Sequence, residues 1–227
     1  MNCLAISAHP DDEVLGMGGT IKKHSDNGDN IFVCILSEHV SARKGKPEHT
    51  LFLKQIEQAE KILGIKDRVF FDFPNIEMNS IPQIKIVKAI EESIIKFKPE
   101  IVYTHNSGDL NIDHRVVSEA TSVAIRLRER GNKDTPIIKK TLCYEVPSST
   151  DWASPVVTGI QFNPNYFVDI SKYFDKKLLA LEKYEGVIRE MPHPRSIEAL
   201  KALATIRGAA AGFEKAEAFM VMRELEI

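Results

Sequence analysis

Residues 3–24 read CLAISAHPDDEVLGMGGTIKKH, and the reading of this stretch sets the fold. An apolar run, CLAIS, enters a polar turn, AHPDDE at residues 8–13, and leaves it into an amphipathic segment from Val14 to Ser25. A strand that hands over directly to a helix is the first half of a strand–helix–strand unit. The turn carries three consecutive carboxylates, which repel one another, so a cation is the obvious remedy. One acid there would be an ordinary helix N-cap. A dinucleotide-binding chain would place a G-x-G-x-x-G turn at this point, to bring backbone N–H groups against a pyrophosphate. Here the acidic turn repels phosphate, and Gly16, Gly18 and Gly19 come later, inside the helical pattern, where they permit close helix–sheet packing.

Outward from this unit the alternation repeats. IFVCILS at 31–37 reads as a second strand, followed by a helix from Leu51 to Leu63 that closes at Gly64. RVFFDF at 68–73 is a third strand, with a helix from Ile84 to Phe97 stopped by Pro99. IVYTH at 101–105, a helix from His114 to Arg128, and TLCYEV at 141–146 complete the series. Beyond Val146 the rhythm changes to a turn-rich stretch, a strand YFVDI, helices at Lys176–Glu190 and Ser196–Ala211, and AEAFMVMREL, which suits either a strand or a helix. The expected fold class is α/β, a Rossmann-like three-layer sandwich around a mainly parallel sheet. No linker divides the chain, so residues 1–227 are expected to form one domain, with 1–146 as the core and 147–227 as a completing or capping region. Ligand sites in such sheets gather at the strand C-termini.

Composition bounds the function. With 43% apolar and 27% charged residues among 227, the chain has the profile of a globular protein rather than a disordered one. A net charge of −2 offers no electrostatic footprint for nucleic acid or an anionic membrane. No apolar stretch approaches the roughly 20 residues a spanning helix needs, and MNCLAISAHP lacks the pattern of a secretory leader; a cytoplasmic location is expected. Cys3, Cys34 and Cys143 each sit inside a strand-like apolar run without a C-x-x-C pair, so core packing is expected of all three.

His9 and Asp12 lie three positions apart on the strand-to-helix turn, a spacing that lets both converge on one ion. The third ligand belongs at the end of another strand. After IVYTH comes NSGDLNIDHRVV, a polar loop that ends in Asp113–His114 at a helix start, and His114 is the expected partner. Three ligands leave a fourth position open, as catalytic zinc requires. Asp11 then remains beside a ligand, placed to take a proton from water whose pKa the metal has lowered to about 7. Helix capping explains either cluster alone, but two clusters at equivalent strand ends favour a metal.

At these residues the chain resembles the LmbE-like, PIG-L-like family of zinc-dependent N-deacetylases, whose A-H-P-D-D-E signature stands at Ala8–Glu13 and whose x-D-H motif is matched by Asp113–His114. The resemblance implies a Rossmann-like fold, one Zn²⁺ per chain held by His9, Asp12 and His114, Asp11 as general base, and hydrolysis of an N-acetyl group on an amino sugar or sugar conjugate. Iron or another divalent ion suits the same donors. Two departures stand out. Many members read H-x-D-H in the second motif, and here the first position is Asn111, which can donate an amide N–H to an oxyanion but no proton to a leaving amine. Many members also carry an Arg-x-x-Glu that grips substrate, where this chain has Phe52 and Gln55; Arg43 in SARKGK is the substitute candidate.

The missing acid is expected at His193, held between two prolines in MPHPRS; relatives acting on chitin oligosaccharides look similar here and use such a His to complete a neighbouring subunit's site, which would require a homo-oligomer. His105, at the end of the fourth strand, is its rival and a candidate substrate contact. Asp113 is expected to orient a ligand or a partner such as His193. Trp152, the only Trp, can stack on a sugar ring. His24, His39 and His49 are expected at the surface. Two other functions fit less well: a phosphoesterase, which would need ligands for two metals, and a non-catalytic sugar- or metal-binding protein disabled at Asn111. Specificity is expected in the loops 38–50, 73–83 and 147–165.

Overall fold

The computed structural model describes residues 1–38 and 48–227, with His49 described in its backbone only. Arg43 and His39 therefore lie outside the described residues. Five strands run parallel: β1 (Asn2–Ser7), β2 (Asn30–Ile35), β3 (Asp67–Phe70), β4 (Ile101–His105) and β5 (Lys140–Tyr144). The remaining two, β6 (Tyr166–Asp169) and β7 (Ala216–Glu224), extend the sheet with antiparallel pairings, and the order across it is β3-β2-β1-β4-β5-β7-β6. AEAFMVMREL thus resolves as a strand.

Alternation along each strand divides the core in two. Cys3, Ala5, Ile31, Val33 and Ile35 face helices α1 (Asp12–Asp26), α2 (His49–Leu63), α6 (Phe174–Leu181) and α7 (Ile197–Ala209), while Leu4, Ile6, Phe32 and Cys34 face α3 (Gln83–Phe97) and α4 (Ile112–Ala124). A short helix α5 (Pro155–Thr158) lies in the turn-rich stretch. Burial on both faces explains why these strands read as continuous apolar runs. All three cysteines are buried and unpaired. The family fold expected from the sequence, a single-domain α/β sandwich with a mostly parallel sheet, is the one observed.

Two helices are shorter than their patterns suggested. α4 ends at Ala124 and continues as turns, and α6 covers only Phe174–Leu181 before a series of turns around Gly186, whose φ of 71° favours glycine.

Helix α1 is broken at Met17 (φ −145°, ψ 23°), and its second segment starts against β7. The Glu217 carboxylate accepts hydrogen bonds from the backbone N–H groups of Gly19 (3.0 Å) and Thr20 (2.7 Å) and from Lys177 Nζ (2.7 Å). A strand residue therefore caps a helix far from it in sequence. The close approach also explains the glycines: a Cβ on Gly16 would strike the Tyr144 ring, and one on Gly19 would come within 2.8 Å of Ile170.

Candidate metal centre

The sheet order reverses direction between β1 and β4, both of which leave at the same edge, and this switch point is where open α/β sheets open a crevice. His9, Asp11 and Asp12 follow β1, while His105 ends β4 and Asn111, Asp113 and His114 open α4. The structure brings the two clusters together. One donor atom from each of His9, Asp12 and His114 lies within 4.8 Å of the others, and all three residues are buried.

Asp12 is the hub. Its Oδ2 accepts the His9 backbone N–H (2.9 Å) and lies 3.4 Å from His9 Nδ1 and 3.3 Å from His114 Nε2. The outward nitrogens of both imidazoles meet carboxylates: His9 Nε2 is 2.8 Å from Asp113 Oδ2, and His114 Nδ1 is 3.3 Å from Asp109 Oδ2. Such outer carboxylates fix the tautomer and orientation of ligating histidines. Asp113 is itself clamped by the N–H groups of Ile76 (2.6 Å) and Met78 (3.0 Å). Asp109 accepts from Thr150 Oγ1 (2.7 Å), from the Ser149 hydroxyl and from the Asn111 N–H (2.9 Å).

The donors fit a divalent cation. Both ring nitrogens of His114 are buried and close no hydrogen bond, although each lies 3.3 Å from a carboxylate oxygen. Desolvation pushes Asp12 up, but the adjacent His114 ring, then His9, outweigh it and hold the carboxyl well below its usual range. Burial opposes charge on His114, yet the neighbouring Asp12 and Asp109 raise it to about 10. Acids that draw positive charge onto the neighbouring imidazoles form the charge pattern expected where a cation belongs.

Asp11 sits at the N-cap of α1 with φ 93°, a left-handed backbone that costs a non-glycine residue energy and marks a constrained position. It is 2% exposed. Asn111 caps α4 instead, its Oδ1 accepting the Asp113 N–H at 2.9 Å. His105 is completely buried: its Nε2 accepts the Ala8 N–H (2.8 Å), and its ring stacks on that of His114 with centroids 3.9 Å apart. Burial, then the neighbouring His114, lowers its pKa well below the usual histidine value, and the ring backs His114 from beneath, with no surface for a substrate contact.

Two expected residues meet elsewhere. Trp152, 53% exposed, packs edge-on against His193 with centroids 5.4 Å apart. His193 Nδ1 accepts the Arg195 N–H (3.0 Å), which leaves its proton on Nε2. Desolvation and then Arg195 and Arg189 lower its pKa. His24, expected at the surface, is instead partly buried between Asp29 (2.7 Å) and the Tyr103 hydroxyl (2.8 Å). Sequence reasoning missed Asp109, Ser149 and Thr150. Asp109 lies within the quoted loop NSGDLNIDHRVV, with no local signal to set it apart from the other polar residues there.

An α/β protein with a buried His/Asp/His group at the switch point of its sheet belongs among those that could hold a metal ion at that edge. The chain is a member of the PIG-L family: residues 4–125 match the family described as GlcNAc-PI de-N-acetylase. Among curated relatives, the diacetylchitobiose deacetylase of Thermococcus kodakarensis is 28% identical over 94% of this chain and 80% of its own length. Among solved structures, the conserved protein TT1542 of Thermus thermophilus superposes with a TM-score of 0.81 at 22% identity, covering 99% of this chain and 96% of that one. GalB of Pseudomonas putida, a 4-carboxy-2-hydroxymuconate hydratase, superposes with a TM-score of 0.76 at 22% identity, covering 100% and 98%. The last likeness shows that the sheet alone does not fix a reaction.

Proposed function

We propose that the protein is a zinc-dependent hydrolase that removes the N-acetyl group from an N-acetylated amino sugar or sugar conjugate. The observation that carries this reading is the convergence of His9, Asp12 and His114 with Asp11 held one residue before a ligand. The deacetylase relatives support the reaction class, and the T. kodakarensis relative makes diacetylchitobiose the first compound to try. Zn²⁺ bound by the three side chains would supply Lewis acidity to the amide carbonyl and to water.

The chain's own residues supply the rest. Asp11 takes the proton of the attacking water on its carboxylate. Asn111 commits Oδ1 to the helix cap, so its Nδ2 amide is the group that remains to donate to the developing oxyanion. Protonation of the leaving amine falls to Asp11 or to Nε2–H of His193, the latter given to a neighbour's site if the protein is a homo-oligomer. Asp113 orients His9, and Trp152 offers a ring face to the sugar. Arg43, beyond the described residues, is the candidate for gripping substrate.

The test is mass spectrometry of N-acetylated sugars, free and nucleotide-linked, incubated with zinc-loaded and with chelated protein. Loss of one acetyl group in the zinc sample alone supports the proposal. Phosphate release with two ions per chain would replace it with a phosphoesterase, and tight sugar binding without product would replace it with a binding protein.

A further inference from the structure

The loop after β5 is linked to the candidate metal centre by an unbroken series of side-chain contacts. Thr150 uses its hydroxyl twice: it accepts the Val146 N–H at the end of β5 (2.8 Å) and donates to Asp109 Oδ2 (2.7 Å). Ser149 donates its hydroxyl to the other oxygen of the same carboxylate, and its carbonyl accepts the Leu110 N–H (3.3 Å). Asp109 is fully buried, and its Oδ2 lies 3.3 Å from His114 Nδ1. In the other direction Arg195 Nε donates to the Pro147 carbonyl (3.2 Å) and the Ser148 hydroxyl (2.8 Å), next to the Trp152–His193 pair. Ser148 has φ 68°, so the loop turns through a left-handed residue to present the two hydroxyls that follow it.

A buried carboxylate has four lone-pair sites to satisfy, and here two adjacent hydroxyls from one loop fill half of them. They fix where the carboxylate stands, and the carboxylate faces the one ligand whose nitrogens close no hydrogen bond. We infer that Ser149 and Thr150 are positioning residues that act through Asp109 on His114, linking cation occupancy to the placement of the Trp152 loop. The inference rests on the metal-centre reading above and adds to it a route by which the loop that carries Trp152 senses that centre.

The sole tryptophan makes the link measurable, since its emission reports this loop alone and Zn²⁺, a closed-shell ion, absorbs no visible light. Zn²⁺ affinity of the full chain is measured by chelator competition and dialysis, with Trp152 emission followed in parallel. Thr150→Val keeps the shape and removes both hydroxyl bonds, Ser149→Ala removes one, and Thr150→Ser restores both. Zinc binding is expected to shift the emission of the unsubstituted protein. Thr150→Val and Ser149→Ala should weaken affinity about tenfold or more, the range for carboxylate supports of ligating histidines, and Thr150→Ser should stay within about threefold of the parent.

Melting of the zinc-free proteins separates positioning from folding, because a merely structural role lowers that melting temperature without changing the increment that zinc adds. Unchanged affinity in both weakening variants, with normal uptake by the parent, overturns the inference and leaves the metal centre standing. Absence of uptake by the parent, or equal uptake by His114→Ala, overturns the metal centre and the inference with it.

Discussion

Asp113, the residue immediately before the ligand candidate His114, holds not that histidine but His9, whose Nε2 lies 2.8 Å from its Oδ2 across 104 positions of chain. The two motifs are therefore cross-braced: the second supplies the support for a ligand candidate of the first. Asp113→Asn turns one accepting oxygen into a donor, opposite the N–H groups of Ile76 and Met78 or opposite His9. The expected outcome is a loss of about 1–3 kcal/mol in denaturant unfolding together with a tenfold or greater fall in Zn²⁺ affinity. An unaltered affinity would remove Asp113 from the support of the site.

Asp11→Asn should separate binding from turnover. The substitution leaves the three donors in place, so zinc content measured by atomic absorption is expected to match the parent. Turnover on any accepted substrate is expected to fall at least about 100-fold, the usual contribution of a positioned base. A zinc-loaded Asp11→Asn protein with normal activity would sink the role given to Asp11.

Neighbouring glycines of α1 should respond unequally to alanine. At Gly19 the new Cβ meets the branched Ile170 at 2.8 Å, whereas at Gly18 the approaches are 3.1 Å to the Lys177 stem and 3.2 Å to Val14 Cγ1, which a shift of a few tenths of an ångström relieves. Gly19→Ala is expected to cost about 1–3 kcal/mol by overpacking. Gly18→Ala should fall near neutral, because its smaller clash is offset by a gain of about 1 kcal/mol in helix propensity. Paired chemical melts check the difference.

Acid sensitivity should trace in part to Asp29. Burial raises its pKa, but the hydrogen bond from His24 and the N-terminal ammonium outweigh this and hold it below the ordinary carboxylate range. A depressed carboxylate stabilises the folded state above its unfolded pKa, near 3.9, and loses that contribution as pH falls through the folded value. Asp29→Asn is therefore expected to lower stability at pH 7 and to make no difference well below pH 3. Equal pH profiles in thermal melts would show that the Asp29 contact contributes nothing.

The sheet and the meeting of His9, Asp12 and His114 were legible because each rests on a local signal. Apolar runs of five or six residues between turn residues gave β1, β2, β4 and β5, and the polar strand-end motifs stood out against them. β7 was ambiguous because AEAFMVMREL carries both β-branched and helix-favouring residues, and only its pairing with β5 and β6 decides its state. The overlong reading of α6 followed apolar spacing past Leu181 into turns that long-range packing sets. Asp109 escaped because nothing in a polar loop marks which carboxylate will be buried; its significance comes from Ser149 and Thr150, some forty positions away. His105 shows the converse error, a strand-end histidine that faces the interior and braces another ring.

The capping of α1 by Glu217 carries a consequence for the order in which the protein is made. The donors of Gly19 and Thr20 wait for an acceptor that leaves the ribosome 198 and 197 residues later. Until β7 docks, the second half of the helix that begins with Asp12 lacks the carboxylate that accepts those two N–H groups. The candidate metal centre, though built almost wholly from the first half of the chain, thus stands at the head of a helix whose tail is capped only when translation is nearly over, and a nascent chain halted before Ala216 should lack that cap.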